Sequence, residues 1–151
     1  MFQIRAIDHV VIRAIDLERS IAFYCDVLGC RIDKRNDPLG LVHLRAGSAL
    51  IDLVSVDGEL GRRGGDAPAA NARNMDHLCL RIEPFDSNEL AAHLRRHGVE
   101  VRGVGERYGA EGDGESLYLD DPEGNTIELK GPPRAAHPAN RSAAQQQGEP
   151  Q

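Results

Sequence analysis

The heptapeptide "IDHVVIR" at residues 7–13 returns as "MDHLCLR" at residues 75–81, so His9 and His77 stand 68 positions apart in one pattern. A repeat of that period marks a duplicated supersecondary unit, because each copy reuses the same local sequence logic. The segments downstream of the two heptapeptides repeat as well. After the first, "IDLERSIAFYCDVLG" sets Leu17, Ile21, Tyr24 and Leu28 at helical spacing behind Asp16 as N-cap, with Gly29 as the stop. After the second, Asp86 and Glu89 form a capping-box arrangement, Leu90 and Leu94 face inward, and Gly98 ends the helix.

Three strand-like runs come after each helix: "CRIDKR", "LVHLRA" and "ALIDLVSV" in the first unit, "VEVRG", "ESLYLDD" and "NTIELKG" in the second. The order β-α-β-β-β is therefore predicted twice, over about residues 4–58 and 74–131, within one domain spanning residues 1–131. The intervening "DGELGRRGGDAPAANARN" has no hydrophobic period and reads as a connection. "GVGERYGAEGDG" reads as a glycine-rich loop; it does not follow a strand and open a helix, so it is no dinucleotide fingerprint. Residues 132–151, rich in Pro, Ala, Gln and Arg, read as a disordered tail.

Side chains alternate faces along a strand, so His9 shares a face with Val11 and Arg13, and His77 with Cys79 and Arg81. The closing strands repeat too: Ile51-Asp52-Leu53 aligns with Ile127-Glu128-Leu129, one carboxylate between two apolar residues each time. A buried carboxylate is costly unless paired or coordinated, and a metal explains two of them at equivalent points. His9, Asp52, His77 and Glu128 make two imidazoles and two carboxylates, a donor set suited to Zn, Ni, Mn or Fe(II). His43 is an isolated strand residue and His93 and His97 sit on a surface-like helix, so none of these is assigned a role.

Composition closes off other classes. A net charge of −6 argues against a nucleic-acid partner, and no apolar run is long enough to span a bilayer, so the expectation is no membrane. The amino terminus lacks the features of a secretion signal, and the three cysteines, Cys25, Cys30 and Cys79, fit reduced thiols; the location expected is cytoplasmic.

With "IDHVVIRAIDLERSIAFYCDVLG" at one end and "SLYLDDPEGNTIELKG" at the other, the chain resembles the vicinal-oxygen-chelate superfamily, which contains glyoxalase I, fosfomycin-resistance proteins and extradiol dioxygenases. The resemblance implies an α+β fold of two βαβββ modules with cupped mixed sheets, and a divalent metal held by His9, His77 and Glu128, with Glu128 also acting as the catalytic base. Asp52 falls where glyoxalase I usually has a longer Glu or Gln, and is shorter by one bond of about 1.5 Å. Arg13 matches a glutathione-contacting Arg of that family, while Val56 stands where the glutathione-using members carry Asn. A thiol cosubstrate such as glutathione is thus supported at one position and opposed at another. Ser116 and Tyr118 lie near positions where fosfomycin-resistance proteins bind substrate, which makes epoxide opening the rival reaction and metal-free sequestration of a small ligand the rival class. Members of this length resemble homodimers with sites shared between subunits. The expected activity is that of a metal-dependent lyase or isomerase of glyoxalase type on a small substrate with vicinal oxygens.

Overall fold

The structure is a computed structural model, and it describes residues 1–134; the expected tail falls, from residue 135 on, outside the described residues. The first unit runs β1 (His9–Ala14), α1 (Leu17–Ala22), β2 (Arg31–Asn36), β3 (Leu41–Ala46) and β4 (Ala49–Ser55). The second runs β5 (His77–Arg81), α2 (Ser87–Arg96), β6 (Gly103–Arg107), β7 (Gly114–Asp120) and β8 (Thr126–Lys130). Each forms one four-stranded mixed sheet, ordered β1-β4-β3-β2 and β5-β8-β7-β6. The first and last strands of each unit pair in parallel and the other neighbours antiparallel.

The helix starts obey the local signals. Asp16 accepts a hydrogen bond from the Arg19 amide at 3.0 Å, and Asp86 accepts from the amides of Asn88 and Glu89 at 2.9 Å each. Gly29 and Gly98 end the two helical segments at φ of +74° and +71°, a conformation that disfavours any residue with a Cβ. Between Ala22 and Gly29 the first helix widens into a π-turn over Phe23–Val27, which periodicity alone does not announce.

One element departs from the sequence expectation. The strand-like run "VEVRG" contributes only its final glycine, and β6 is built instead from Gly103–Arg107, the start of the supposed loop. Glycine disfavours strands intrinsically, but β6 closes an antiparallel ladder with β7, pairing Gly103 with Tyr118 and Gly105 with Ser116. Tertiary pairing outweighs local propensity here.

One face of each sheet supplies the core: Ile12, Val42, Leu44, Ile51 and Leu53 from the first, Leu117, Leu119, Ile127 and Leu129 from the second, with Ile21, Tyr24 and Leu94 from the helical segments. The two units are also joined by polar contacts. Tyr24 donates its hydroxyl to Asp121 Oδ2 at 2.9 Å, in the turn between β7 and β8, and Asp121 Oδ1 accepts from the amides of Glu123 and Asn125. Asn125 contacts Asn74, which donates to the Arg13 carbonyl at 2.9 Å. Burial, and then the Asp121 charge, push the Tyr24 phenol well above its ordinary pKa, so it stays a donor.

Candidate metal and substrate site

The faces left out of the core carry the histidines. In the second sheet, His77, Cys79 and Arg81 of β5 stand opposite Thr126, Glu128 and Lys130 of β8, and Tyr118 of β7 stands opposite Glu128. Glu128 is only 4% exposed, and its Oε2 lies 3.3 Å from Nε2 of His77. The other ring nitrogen of His77, Nδ1, meets the Asp76 carboxylate at 2.6 Å. The Asp76 carboxylate fixes the ring through Nδ1 and leaves Nε2 turned toward Glu128. That is how metal-binding imidazoles are held by an outer carboxylate.

The first sheet repeats the device. His9 Nδ1 meets Asp8 at 2.7 Å, and the hydrogen bond to Asp8, with the nearby Asp52 charge adding to it, raises the His9 pKa. Asp52 is 5% exposed and sits opposite His43, whose Nδ1 lies 2.7 Å from Asp52 Oδ1. The buried carboxylates thus face different partners across the next strand, His43 in one unit and Tyr118 in the other.

The donors form two pairs, His9 with Asp52 and His77 with Glu128; among the described residues no group of three His, Cys, Asp or Glu side chains is arranged to hold a metal ion. Two imidazoles and two nearly buried carboxylates fit a divalent transition metal chemically. Cys79 lies beside Glu128, but burial, then the Glu128 charge, push its thiol up to about 11, which keeps it a neutral thiol and a poor ligand at neutral pH.

The expected substrate residues lie in three different situations. Arg13 gives its guanidinium to the carbonyls of Gly65 at 3.1 Å and Asp66 at 3.0 Å, and so clasps the connection between the units. Ser116 is fully buried, its hydroxyl without a protein partner. Tyr118 stands at the site, its ring edge-on to His77 with centroids 6.2 Å apart and its hydroxyl accepting from Arg107 Nε at 3.1 Å.

Sequence reasoning passed over three side chains that the structure brings in. Asp8 and Asp76 were visible as the residue before His in both heptapeptides, and that repetition is the signal for a supporting carboxylate. His43 is opposite Asp52 only through the strand register, which no short motif encodes.

Comparison with known proteins agrees with the fold. The model of a family described as the Glyoxalase/Bleomycin resistance protein/Dioxygenase superfamily matches residues 6–129. Virulence protein STM3117 of Salmonella typhimurium is 30% identical over 125 residues, 82% of this chain and 81% of that protein. Its crystal structure aligns with a TM-score of 0.68 at 28% identity, over 87% of this chain and 99% of that one. Glyoxalase domain-containing protein RDO1 of Mycosarcoma maydis is 31% identical over 127 residues, 83% of this chain and 68% of that protein. A lactoylglutathione lyase structure from Agrobacterium tumefaciens shares the fold, with a TM-score of 0.64 and 23% identity over 85% of this chain and 95% of that one.

Proposed function

Because the chain belongs to the Glyoxalase/Bleomycin resistance protein/Dioxygenase superfamily, we propose that it is a metal-dependent enzyme of glyoxalase type, acting as a lyase or isomerase on a small molecule with two neighbouring oxygens. The observation that carries this reading is the His77 ring, pinned by Asp76 at Nδ1 with Nε2 presented to the buried Glu128. His9, clamped by Asp8, supplies the second imidazole. Asp52 is the fourth donor, working through the oxygen that His43 leaves free.

The two donor pairs are completed by a second copy of the chain, His9 and Asp52 of one protomer joining His77 and Glu128 of the other. Exposed apolar residues around these faces suit such a homodimer: Ile7, Val11 and Ile15 near β1 are each more than half exposed, as an unpaired surface would leave them. When bound, a divalent metal supplies Lewis-acid polarisation of the substrate's vicinal oxygens. Glu128 takes the proton from the adjacent carbon as general base, its burial beside His77 keeping bulk water away from that transfer. Tyr118, held neutral because burial raises its pKa, lines the same face and packs against His77.

A thiol adduct of a 2-oxoaldehyde, with glutathione as the thiol, is the first substrate to assay. Epoxide opening is less favoured, since the buried Ser116 hydroxyl is not presented to a ligand. The test is elemental analysis of protein purified without chelators, followed by turnover of methylglyoxal with glutathione and of fosfomycin under the metal found. About one transition metal per chain with isomerase activity supports the reading. A protein that holds no metal and takes up none from added Zn, Ni, Mn or Fe overturns it in favour of a small-ligand-binding protein.

The supporting carboxylate gives a separate prediction. Asp76→Ala should weaken metal binding by about 10–100-fold, the usual cost of losing an outer-shell partner, in a titration against a competing chelating dye. The circular dichroism spectrum should not change, because the Asp76 side chain is 96% exposed.

A further inference from the structure

The second sheet contains a feature that the duplication does not explain. Arg81 of β5 stands directly opposite Lys130 of β8, two cations side by side on the face that carries His77 and Glu128. Like charges at directly opposed positions destabilise a sheet. At the equivalent place in the first sheet, Arg13 stands opposite Val54, so the second cation belongs to this site alone.

Lys130 is 6% exposed, and its ammonium is held by the carbonyls of Arg107 and Gly114, the two ends of the glycine-rich loop. Carbonyl dipoles solvate that charge without neutralising it. Both cations line a cavity of about 350 Å³ that also includes His77 and Glu128, with Tyr108 and Glu111 of the loop on its other side. The loop tip is a tight turn closed by reciprocal hydrogen bonds between Gly109 and Gly112, at 3.1 and 2.9 Å. From that tip the Glu111 carboxylate reaches Arg81 Nε at 2.8 Å, and Glu83 takes another guanidinium nitrogen at 3.1 Å. A carboxylate from a glycine-flanked turn therefore already occupies the Arg81 side of the cavity that Lys130 also lines.

We propose that Arg81 and Lys130 form a carboxylate subsite, filled in the free protein by Glu111 and in the complex by the anionic tail of the substrate. The subsite rests on the glyoxalase-type assignment for where the reacting end lies. Strand geometry puts same-face neighbours about 7 Å apart, so the subsite is about that far along β8 from Glu128. The substrate class is a short acid whose vicinal oxygens and distal carboxylate are separated by a few carbons. Glu111 acts as an internal competitor, and the loop tip moves away from β5 when the ligand's carboxylate replaces it.

The test is calorimetric titration of the full chain, with and without added Zn, using two probes. 2-Oxoglutarate and 2-oxopentanoate have the same vicinal oxygens and the same chain length, and differ only in whether the far end is a carboxylate or a methyl group. The native protein should bind 2-oxoglutarate more tightly. Arg81→Gln should lower that affinity by about tenfold or more, the scale of a lost charge-assisted hydrogen bond. Glu111→Gln should raise it by about two- to fivefold, the worth of a partly exposed ion pair, and neither variant should move 2-oxopentanoate. Equal affinity for the two probes, no binding of either, or a preference that survives Arg81→Gln overturns the subsite. Metal content measured on the same samples separates the two proposals. A chain that takes up no metal but keeps an Arg81-dependent preference has lost the proposed reaction and kept the subsite; a metal-loaded chain with no preference has lost the subsite.

Discussion

Mixing His9→Ala and His77→Ala chains should restore about one quarter of the native metal content, although neither variant alone should hold an appreciable amount. The expectation comes from the division of donors into one pair per sheet, with His9 near Asp52 and His77 3.3 Å from Glu128. In a dimer that shares its sites, a mixed pair has one site with both histidines lost and one with all donors intact. Random reassociation makes about half of the dimers mixed, and each then holds one metal of two. The readout is elemental analysis after the two variants are unfolded together and refolded, beside each variant treated alone. Sites built within one chain would give no recovery on mixing, and that outcome would refute the shared arrangement whatever the metal.

Asp121→Ala should destabilise the fold by about 3 kcal/mol, seen as a fall in Tm of roughly 10 °C. Asp121 is 5% exposed and accepts from the Tyr24 hydroxyl, the amides of Glu123 and Asn125, and the Asn125 side chain. Its loss leaves buried donors unsatisfied on both sides of the junction between the units. Tyr24→Phe removes one of these bonds and leaves Asp121 its other partners, so its cost should be nearer 1 kcal/mol, or about a third as much. Thermal unfolding of the two variants in parallel separates a network centred on the carboxylate from one centred on the phenol. Equal losses would show that the tyrosine carries the junction.

Much of the architecture could be read from short segments. The N-caps Asp16 and Asp86 and the helix-ending glycines Gly29 and Gly98 act within one turn of chain, so neighbouring residues suffice to define them. The four candidate ligands were visible for a similar reason: strand alternation sets a side chain's face, and a carboxylate between two apolar residues stands out in each closing strand. The glycine-rich start of β6 was misread because its strand character comes from pairing with β7, which lies beyond the loop tip.

What the sequence determined by itself was the duplication, the βαβββ order of each unit and the faces bearing His9, Asp52, His77 and Glu128, since all of these come from periodicity and local capping. The tertiary structure decided what each polar side chain meets. It committed Arg13 to the carbonyls of Gly65 and Asp66, set His43 against Asp52 and placed Arg81 opposite Lys130 with the Glu111 carboxylate on its guanidinium. These contacts depend on strand register and on where a loop lands, and register is set by the summed packing of whole sheets. A charged side chain's partner is a long-range property of the fold, whereas its face on a strand is a local one.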